Sequence, residues 1–280
     1  MRKMSFLKKI WKFLVDNYFI SIFIACIGFV AVVSVYKLFF VKPTYVYAKV
    51  KVGQGLWWAS TQKPSLWYLE AFQNVIKTKE SENDLSGNPQ SQILSMRYYP
   101  TYIQNQYDVY LIMKLKVSKL GKTGKYNFKR SSIGVSSPVD FEFPSVQFSG
   151  TIIDISEKPI KDKLVEKEVV LAKRNSDPWE YEVIEIGDYY FDGKEKVFEI
   201  IDKSARDTYV LTSDTFGNYP DVEPELRKYI FVKAKIKAKE KGGKLIFGEE
   251  QILSVGQSIN IVTNKFVFQN YRVAEIKPTK

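Results

Sequence analysis

The feature that most constrains this chain is an apolar run near its N-terminus, Phe19–Tyr36, which contains no charged residue. A helix of these 18 residues, at a rise of about 1.5 Å per residue, is roughly 27 Å long, close to the hydrocarbon thickness of a bilayer. The run is longer than the apolar segment of a signal peptide, and no small-x-small cleavage motif follows it. It therefore predicts an uncleaved transmembrane helix over residues 19–41.

Residues 1–18 form a basic tail with five Lys and Arg residues. Its apolar residues share one face of a helix, which predicts an amphipathic segment that lies on the membrane surface. A short basic tail before a large domain predicts a cytoplasmic N-terminus and extracytoplasmic C-terminal domains. The chain is thus predicted to be a single-pass protein of the cell membrane, with membrane lipid as one partner.

Composition excludes several kinds of chemistry. The chain has no His, and its one Cys, Cys26, lies inside the apolar run. Catalytic triads with His, zinc sites and disulfides are therefore excluded from residues 43–280, and no metal or cofactor is predicted. Residues 1–42 hold seven Lys and Arg residues and one Asp, so +6 of the net charge of +11 lies there. The remaining charge is ordinary for a protein surface, and no nucleic-acid partner is predicted.

Two segments alternate strictly between apolar and polar residues, which is typical of half-buried strands. They are Leu111–Ser118, with Lys114 and Lys116 on the polar face, and Val232–Lys239, with four Lys on that face. Each strand runs into a turn that contains Gly, which permits the positive φ of a hairpin turn. The Lys rows are interpreted either as a solvated face that protects strand edges or as a surface for anionic lipid or polymer.

Features of the first segment recur about 119 residues later in the second. The spacing joins Gly124 with Gly243, Phe128 with Phe247, and Ile133 with Ile252. The sequence therefore predicts a mainly β fold. One N-terminal transmembrane helix is followed by two tandem, duplicated antiparallel domains of barrel or sandwich type, over residues 44–157 and 160–278.

Two segments near the ends of these units carry a resemblance to known proteins. They are Val146–Ile155 (VQFSGTIIDI) and Val255–Ile261 (VGQSINI). With the N-terminal helix and the paired units, they resemble uncharacterised bacterial single-pass envelope proteins with repeated β domains. The second segment is also similar to the start of the barrel in membrane-fusion adaptor proteins. The resemblances imply an anchored envelope protein, or an adaptor of a transport or secretion complex.

The segment Ser95–Thr101 (SMRYYPT) resembles the nucleophile box of signal peptidase, a membrane-anchored Ser–Lys hydrolase. This resemblance implies that Ser95 would be the nucleophile, activated by a neutral lysine. The alternative interpretation is a strand that leads into a loop at Pro100. No lysine motif accompanies the segment, so no catalytic residue is predicted and the chain is predicted not to be an enzyme.

Four aromatic residues are the predicted interaction residues: Trp57, Trp58, Trp67 and Tyr68. If exposed, they would stack on glycan or enter the membrane interface. If buried, they would form the core of the first unit. The predicted function is a membrane-anchored, non-enzymatic scaffold or binding protein of the envelope, with a protein partner there. The alternatives are an adaptor subunit of a transport or secretion complex and a membrane-anchored Ser–Lys hydrolase.

Overall fold

The structure is a computed structural model, and it describes residues 15–39, 44–53, 63–84, 87–101, 103, 105–120, 124–210 and 225–278. The chain divides into two compact units between Thr44 and Tyr45. Antiparallel sheets form most of the second unit, so the prediction of a mainly β fold is confirmed. Most of the predicted N-terminal tail, residues 1–14, lies outside the described residues.

Helix α1, Tyr18–Phe39, contains most of the predicted transmembrane segment. It has no Pro, and the Ser21 hydroxyl donates a hydrogen bond to the Asn17 carbonyl in its first turn. Large apolar side chains are exposed around its whole circumference, among them Phe19, Phe23 and Phe29. No helix among the described residues has both the length and the hydropathy of a membrane span.

The first half of the β unit begins with β1 and ends with β8. Its strands are β1 Thr44–Val52, β2 Ser81–Asn83, β3 Pro89–Pro100, β4 Tyr107–Leu120, β5 Lys125–Phe128, β6 Ser131–Ile133, β7 Pro138–Glu142 and β8 Gln147–Ser156. These strands form one sheet in the order β2-β3-β4-β1-β8-β7, and β5 joins β4 to β6. Helix α2, Leu66–Thr78, connects β1 to β2 and buries Leu69, Phe72 and Val75 on one face.

The second half begins at β9, after a connection of seven residues that follows β8. Its strands are β9 Leu164–Ser176, β10 Tyr189–Phe191, β11 Lys196–Val210, β12 Glu225–Lys241, β13 Lys244–Phe247, β14 Gln251–Leu253, β15 Ile261–Val262, β16 Val267–Phe268 and β17 Arg272–Pro278. Helix α3, Pro178–Val183, follows β9. The predicted boundary between the two domains, residues 157–160, falls in this connection between the sheets.

The two halves pair their strands in corresponding order. In the first half β1 lies between β4 and β8, and in the second half β9 lies between β12 and β17. The series β2-β3-β4-β5-β6 corresponds to β10-β11-β12-β13-β14. One-residue bulges also fall at corresponding places: Leu94 in β3 and Ile201 in β11, and Ile153 in β8 and Ala274 in β17. The two halves therefore share both connectivity and local register.

The hairpin after the long alternating strand ends with the same features in both halves. Gly124 and Gly243 both have positive φ, at 65° and 73°, which matches the turn chemistry predicted from sequence. Phe128 and Phe247 follow at the ends of β5 and β13, and both are buried. The spacing of 119 residues therefore marks positions of the same environment in this hairpin.

The predicted equivalence of Ile133 with Ile252 is wrong by one residue. Leu253 is buried like Ile133, whereas Ile252 is 41% exposed. The turn between β5 and β6 has two residues, 129–130, but the turn between β13 and β14 has three, 248–250. The extra residue shifts the following strand, so that its opposite face points inward.

Each half has its own hydrophobic core. The first core is built from β1, the strands β3 to β8 and α2. The second core is built from the strands of the second half, but it also includes Tyr99 and Tyr110 from the first half. The Tyr99 and Phe247 rings meet edge to face with centroids 5.6 Å apart. The end of β3 is thus inserted against the second half, where it forms a junction between the two sheets.

Candidate functional site: an ionic junction and an aromatic pair

A group of charged side chains from both halves lies at this junction, and Arg97 is at its centre. Arg97 projects from β3 with its side chain only 5% exposed. Its guanidinium contacts Asp192, donates to Glu195 Oε1 at 2.9 Å and lies 3.3 Å from Asp162 Oδ2. Burial opposes the charge on Arg97, but the bond to Glu195 and the charge of Asp192 raise its pKa. The guanidinium therefore stays protonated in the junction.

Asp192 is fully buried and is held by the turn between β10 and β11. Its Oδ1 accepts the backbone N–H groups of Lys194 and Glu195 at 2.9 and 3.0 Å, and its Oδ2 accepts the Tyr99 hydroxyl at 3.0 Å. Gly193 has φ +96° and packs so closely that a Cβ there would lie 2.8 Å from the Tyr98 ring. Only Gly suits a position that combines this φ with this close approach.

A second ionic group adjoins the first through Asp162, in the connection between the halves. Lys49 from β1 donates to Asp162 Oδ1 at 2.5 Å and to Glu249 at 3.2 Å. Lys239 from β12 lies 2.7 Å from Asp162 and also contacts Glu249. Burial alone would raise the pKa of the Asp162 carboxyl, but the bonds from Lys239 and Lys49 outweigh it and hold the pKa at about 2.

Burial also lowers the pKa of Lys239, despite the nearby charge of Glu249. Lys51 extends the group to the protein surface, where it pairs with Glu250 at 2.6 Å. Both acidic partners, Glu249 and Glu250, belong to the three-residue turn that shifts the register of β14. The turn that displaces Ile252 therefore also supplies the carboxylates that bind β1.

This arrangement is suited to fixing the orientation of the two sheets. Oppositely charged groups are paired in a low-dielectric setting, and removal of one member would leave its partner buried without compensation. Among the described residues no group of acidic or sulfur ligands could hold a metal ion. The junction is packed by side chains from both halves.

The predicted aromatic residues that the structure describes differ in their exposure. Trp67, near the start of α2, is 65% exposed. Tyr68 is half-buried against the first core, and its hydroxyl donates to the Gln147 carbonyl at 3.0 Å. The two rings lie 4.3 Å apart between centroids. Trp57 and Trp58 lie outside the described residues, and an interaction role for the four stays a prediction.

Ser95 lies on β3 opposite Ile112. Among the described residues, no lysine donates a hydrogen bond to its hydroxyl. The same segment contributes Arg97 and Tyr99 to the junction. The segment SMRYYPT thus lies in the contact between the first half and the second half.

Sequence reasoning did not identify the junction residues. The dipeptide Asp192–Gly193 was a usable signal, because it is a common hairpin turn. The row of Lys on β12 predicts one solvated face or one binding surface. In the structure Lys235 is 47% exposed, whereas Lys237 and Lys239 turn into the junction and bind Glu195 and Glu249.

Comparisons with known proteins give no relative from which a function could be transferred. No protein-family model, curated protein or solved structure matches the chain. The functional conclusion therefore rests on the residues and contacts described above.

Proposed function

We propose that this chain is a membrane-anchored, non-enzymatic scaffold or binding protein of the cell envelope. The observation that carries this proposal is the exposed apolar surface of α1. Phe19, Phe23 and Phe29 are each more than two-thirds exposed, and apolar side chains surround the helix. Each such side chain gains about 1.5–3 kcal/mol when it leaves water for an apolar environment. A lipid environment would remove the apolar side chains on all sides of α1 from water at the same time.

We further infer that the two halves are duplicates of one barrel- or sandwich-like unit. Support comes from the corresponding strand order and from the bulges at Leu94 and Ile201 and at Ile153 and Ala274. The ionic junction supports a scaffold role, because it links the halves by paired charges and gives them a defined mutual orientation. In this proposal the N-terminus is cytoplasmic and the β unit is extracytoplasmic.

Membrane extraction and protease accessibility test the proposal. The full chain, expressed in a bacterial host with a C-terminal tag, should remain in the membrane pellet after alkaline carbonate. A protease added to intact spheroplasts should digest residues 43–280. The matched control is the double variant Ile24→Asp/Val30→Asp, which charges two exposed positions of α1 and should release the chain. Release of the unaltered chain by carbonate would refute the anchor, and full protection of the tag would reverse the orientation.

A further inference from the structure

A groove on the first half lies at the place that corresponds to the ionic junction of the second half. It has a volume of about 460 Å³. It is lined by Asp84, Gln90, Lys116, Val117, Ser118, Asn127, Lys129 and Arg130. These residues come from the turn after β2, from the strands β3, β4 and β5, and from the turn after β5.

The strand pairings establish the correspondence. Met113 in β4 pairs with the residue before the bulge of β3, and Ala234 in β12 pairs with the residue before the bulge of β11. Lys116 lies three residues after Met113, and Lys237 lies three residues after Ala234, so these two lysines correspond. Asp84 follows β2 as Asp192 follows β10. The turn 129–130 corresponds in the same way to the turn 248–250. In the second half these elements surround Arg97 and Lys49, whereas in the first half they surround open space.

The balance of charge differs between the two places. In the second half Asp192, Glu195 and Glu249 receive the basic side chains of the first half. The groove instead presents three cations and one carboxylate. Lys116 lies 3.3 Å from Asp84, and Lys129 is bound to Glu82 and to the Asp140 carbonyl.

Arg130 is exposed and has no hydrogen-bond or ion-pair partner within the described part of the chain. Its guanidinium is free to bind a carboxylate with two parallel hydrogen bonds. The groove therefore favours an anionic occupant, where its counterpart in the second half takes a cationic one.

Within the described residues, the strand of the second half that corresponds to β3 does not offer such an occupant. Counted from the bulges, Ser204 and Arg206 on β11 correspond to Arg97 and Tyr99. Arg206 is exposed beside the Phe231 ring at 5.9 Å, and Lys203, Lys233 and one carboxylate, Asp202, line the same surface. A second copy that docked in the same way would bring this mainly cationic surface against the cations of the groove, which disfavours association.

We propose that the groove is a docking site for an acidic segment of a partner protein, an extended edge or a turn with at least two carboxylates. This inference rests on the proposed role as a binding protein and adds the chemistry of the partner. A polypeptide is favoured because the corresponding place in the second half already receives one. There the Tyr98 N–H donates to the Asp192 carbonyl at 2.9 Å, and the Tyr190 hydroxyl donates to the Tyr98 carbonyl at 2.7 Å.

The test measures peptide binding by the full chain in detergent micelles, by fluorescence anisotropy. The probe is a fluorescein-labelled heptapeptide of Asp, Glu and Gly, and its counterpart has Asn and Gln in place of the acids. We expect the double variant Lys116→Gln/Arg130→Gln to bind the acidic probe at least about tenfold more weakly, since charge-assisted hydrogen bonds are lost. The matched control is Lys203→Gln/Arg206→Gln on the corresponding surface of the second half, which should bind as the unaltered chain does.

Four outcomes would overturn the proposal. The first two are equal binding of the acidic and amide probes and no loss of binding in the groove variant. The third is displacement of the acidic probe by inorganic phosphate, or by phosphatidylglycerol added to the micelles, at concentrations where the amide peptide does not displace it. The fourth is self-association that the groove variant abolishes. The melting temperature of each variant confirms that it is folded. Because the titration is done in micelles, it does not depend on the topology test, and either proposal can fail alone.

Discussion

Replacement of Arg97 by Met should destabilise the protein strongly, because it empties the ionic junction of its central cation. Met keeps an apolar stem of similar length but leaves Asp192, which is fully buried, and Asp162 without the guanidinium. Removal of one member of a buried ion pair typically costs 3–5 kcal/mol. Asp192 keeps the Tyr99 hydroxyl and two backbone N–H groups. We therefore expect the lower end of that range, about 3 kcal/mol.

The measurement is urea unfolding of the full chain in micelles, followed by circular dichroism. With a slope of about 2–3 kcal/mol per molar urea, a loss of about 3 kcal/mol lowers the midpoint by about 1–1.5 M. A loss of this free energy is a large part of the typical stability of a protein, which is about 5–15 kcal/mol. The matched control is Arg206→Met, the same change at an exposed position of β11, with an expected cost within about 0.5 kcal/mol.

The reasoning would be refuted if both variants unfolded at the same urea concentration. A double-mutant cycle adds a second check. If Arg97 and Asp192 interact as the structure indicates, Arg97→Met and Asp192→Asn together should cost about 1–3 kcal/mol less than the sum of the single changes. Additive costs would mean that the pair contributes nothing specific.

Three further predictions concern other parts of the β unit. The folded-state pKa of Asp162 is about 2, below its ordinary value of 3.8. Its contribution to the free energy of unfolding is therefore complete above the ordinary pKa and is lost as the pH falls toward the folded-state pKa. The unaltered chain should thus lose up to about 2 kcal/mol more than Asp162→Asn over this window in urea melts. Gly193→Ala, which brings a Cβ to 2.8 Å from a tyrosine ring, should cost at least about 1 kcal/mol more than Gly87→Ala, where φ is also positive but the space is open. Equal melting temperatures would contradict that. Phe247→Ala should cost about 3–5 kcal/mol and Lys235→Ala less than about 0.5 kcal/mol, and similar losses in thermal melts would show that the strand register is wrong.

Local patterns predicted the secondary structure well where one face of a strand meets the core. The alternation in Leu111–Ser118 and Val232–Lys239 predicted β4 and β12, and Gly124 and Gly243 predicted the following hairpins. These signals depend on neighbours in the sequence, because the side-chain period of a strand and the φ of a turn residue are local properties. The apolar run predicted the helix α1 for the same reason.

Exact equivalences between the halves were less well predicted. Ile252 was matched with Ile133, but the three-residue turn before β14 moved Leu253 into the core instead. A single inserted residue reverses which side chains of a strand face inward. The sequence contains that residue, but only the strand pairing shows that it lies in the turn rather than in the strand.

The junction itself was decided by tertiary structure. Lys49, Arg97, Asp162, Asp192 and Glu249 are spread over about two hundred residues of the chain, so no local pattern brings them together. An alternating pattern marks one face of a strand as polar, but it does not distinguish a face covered by water from a face covered by another sheet with matching charges. The sequence by itself therefore determined the strands, the hairpins and the apolar helix, whereas the contact between the sheets decided which of the charged residues are buried.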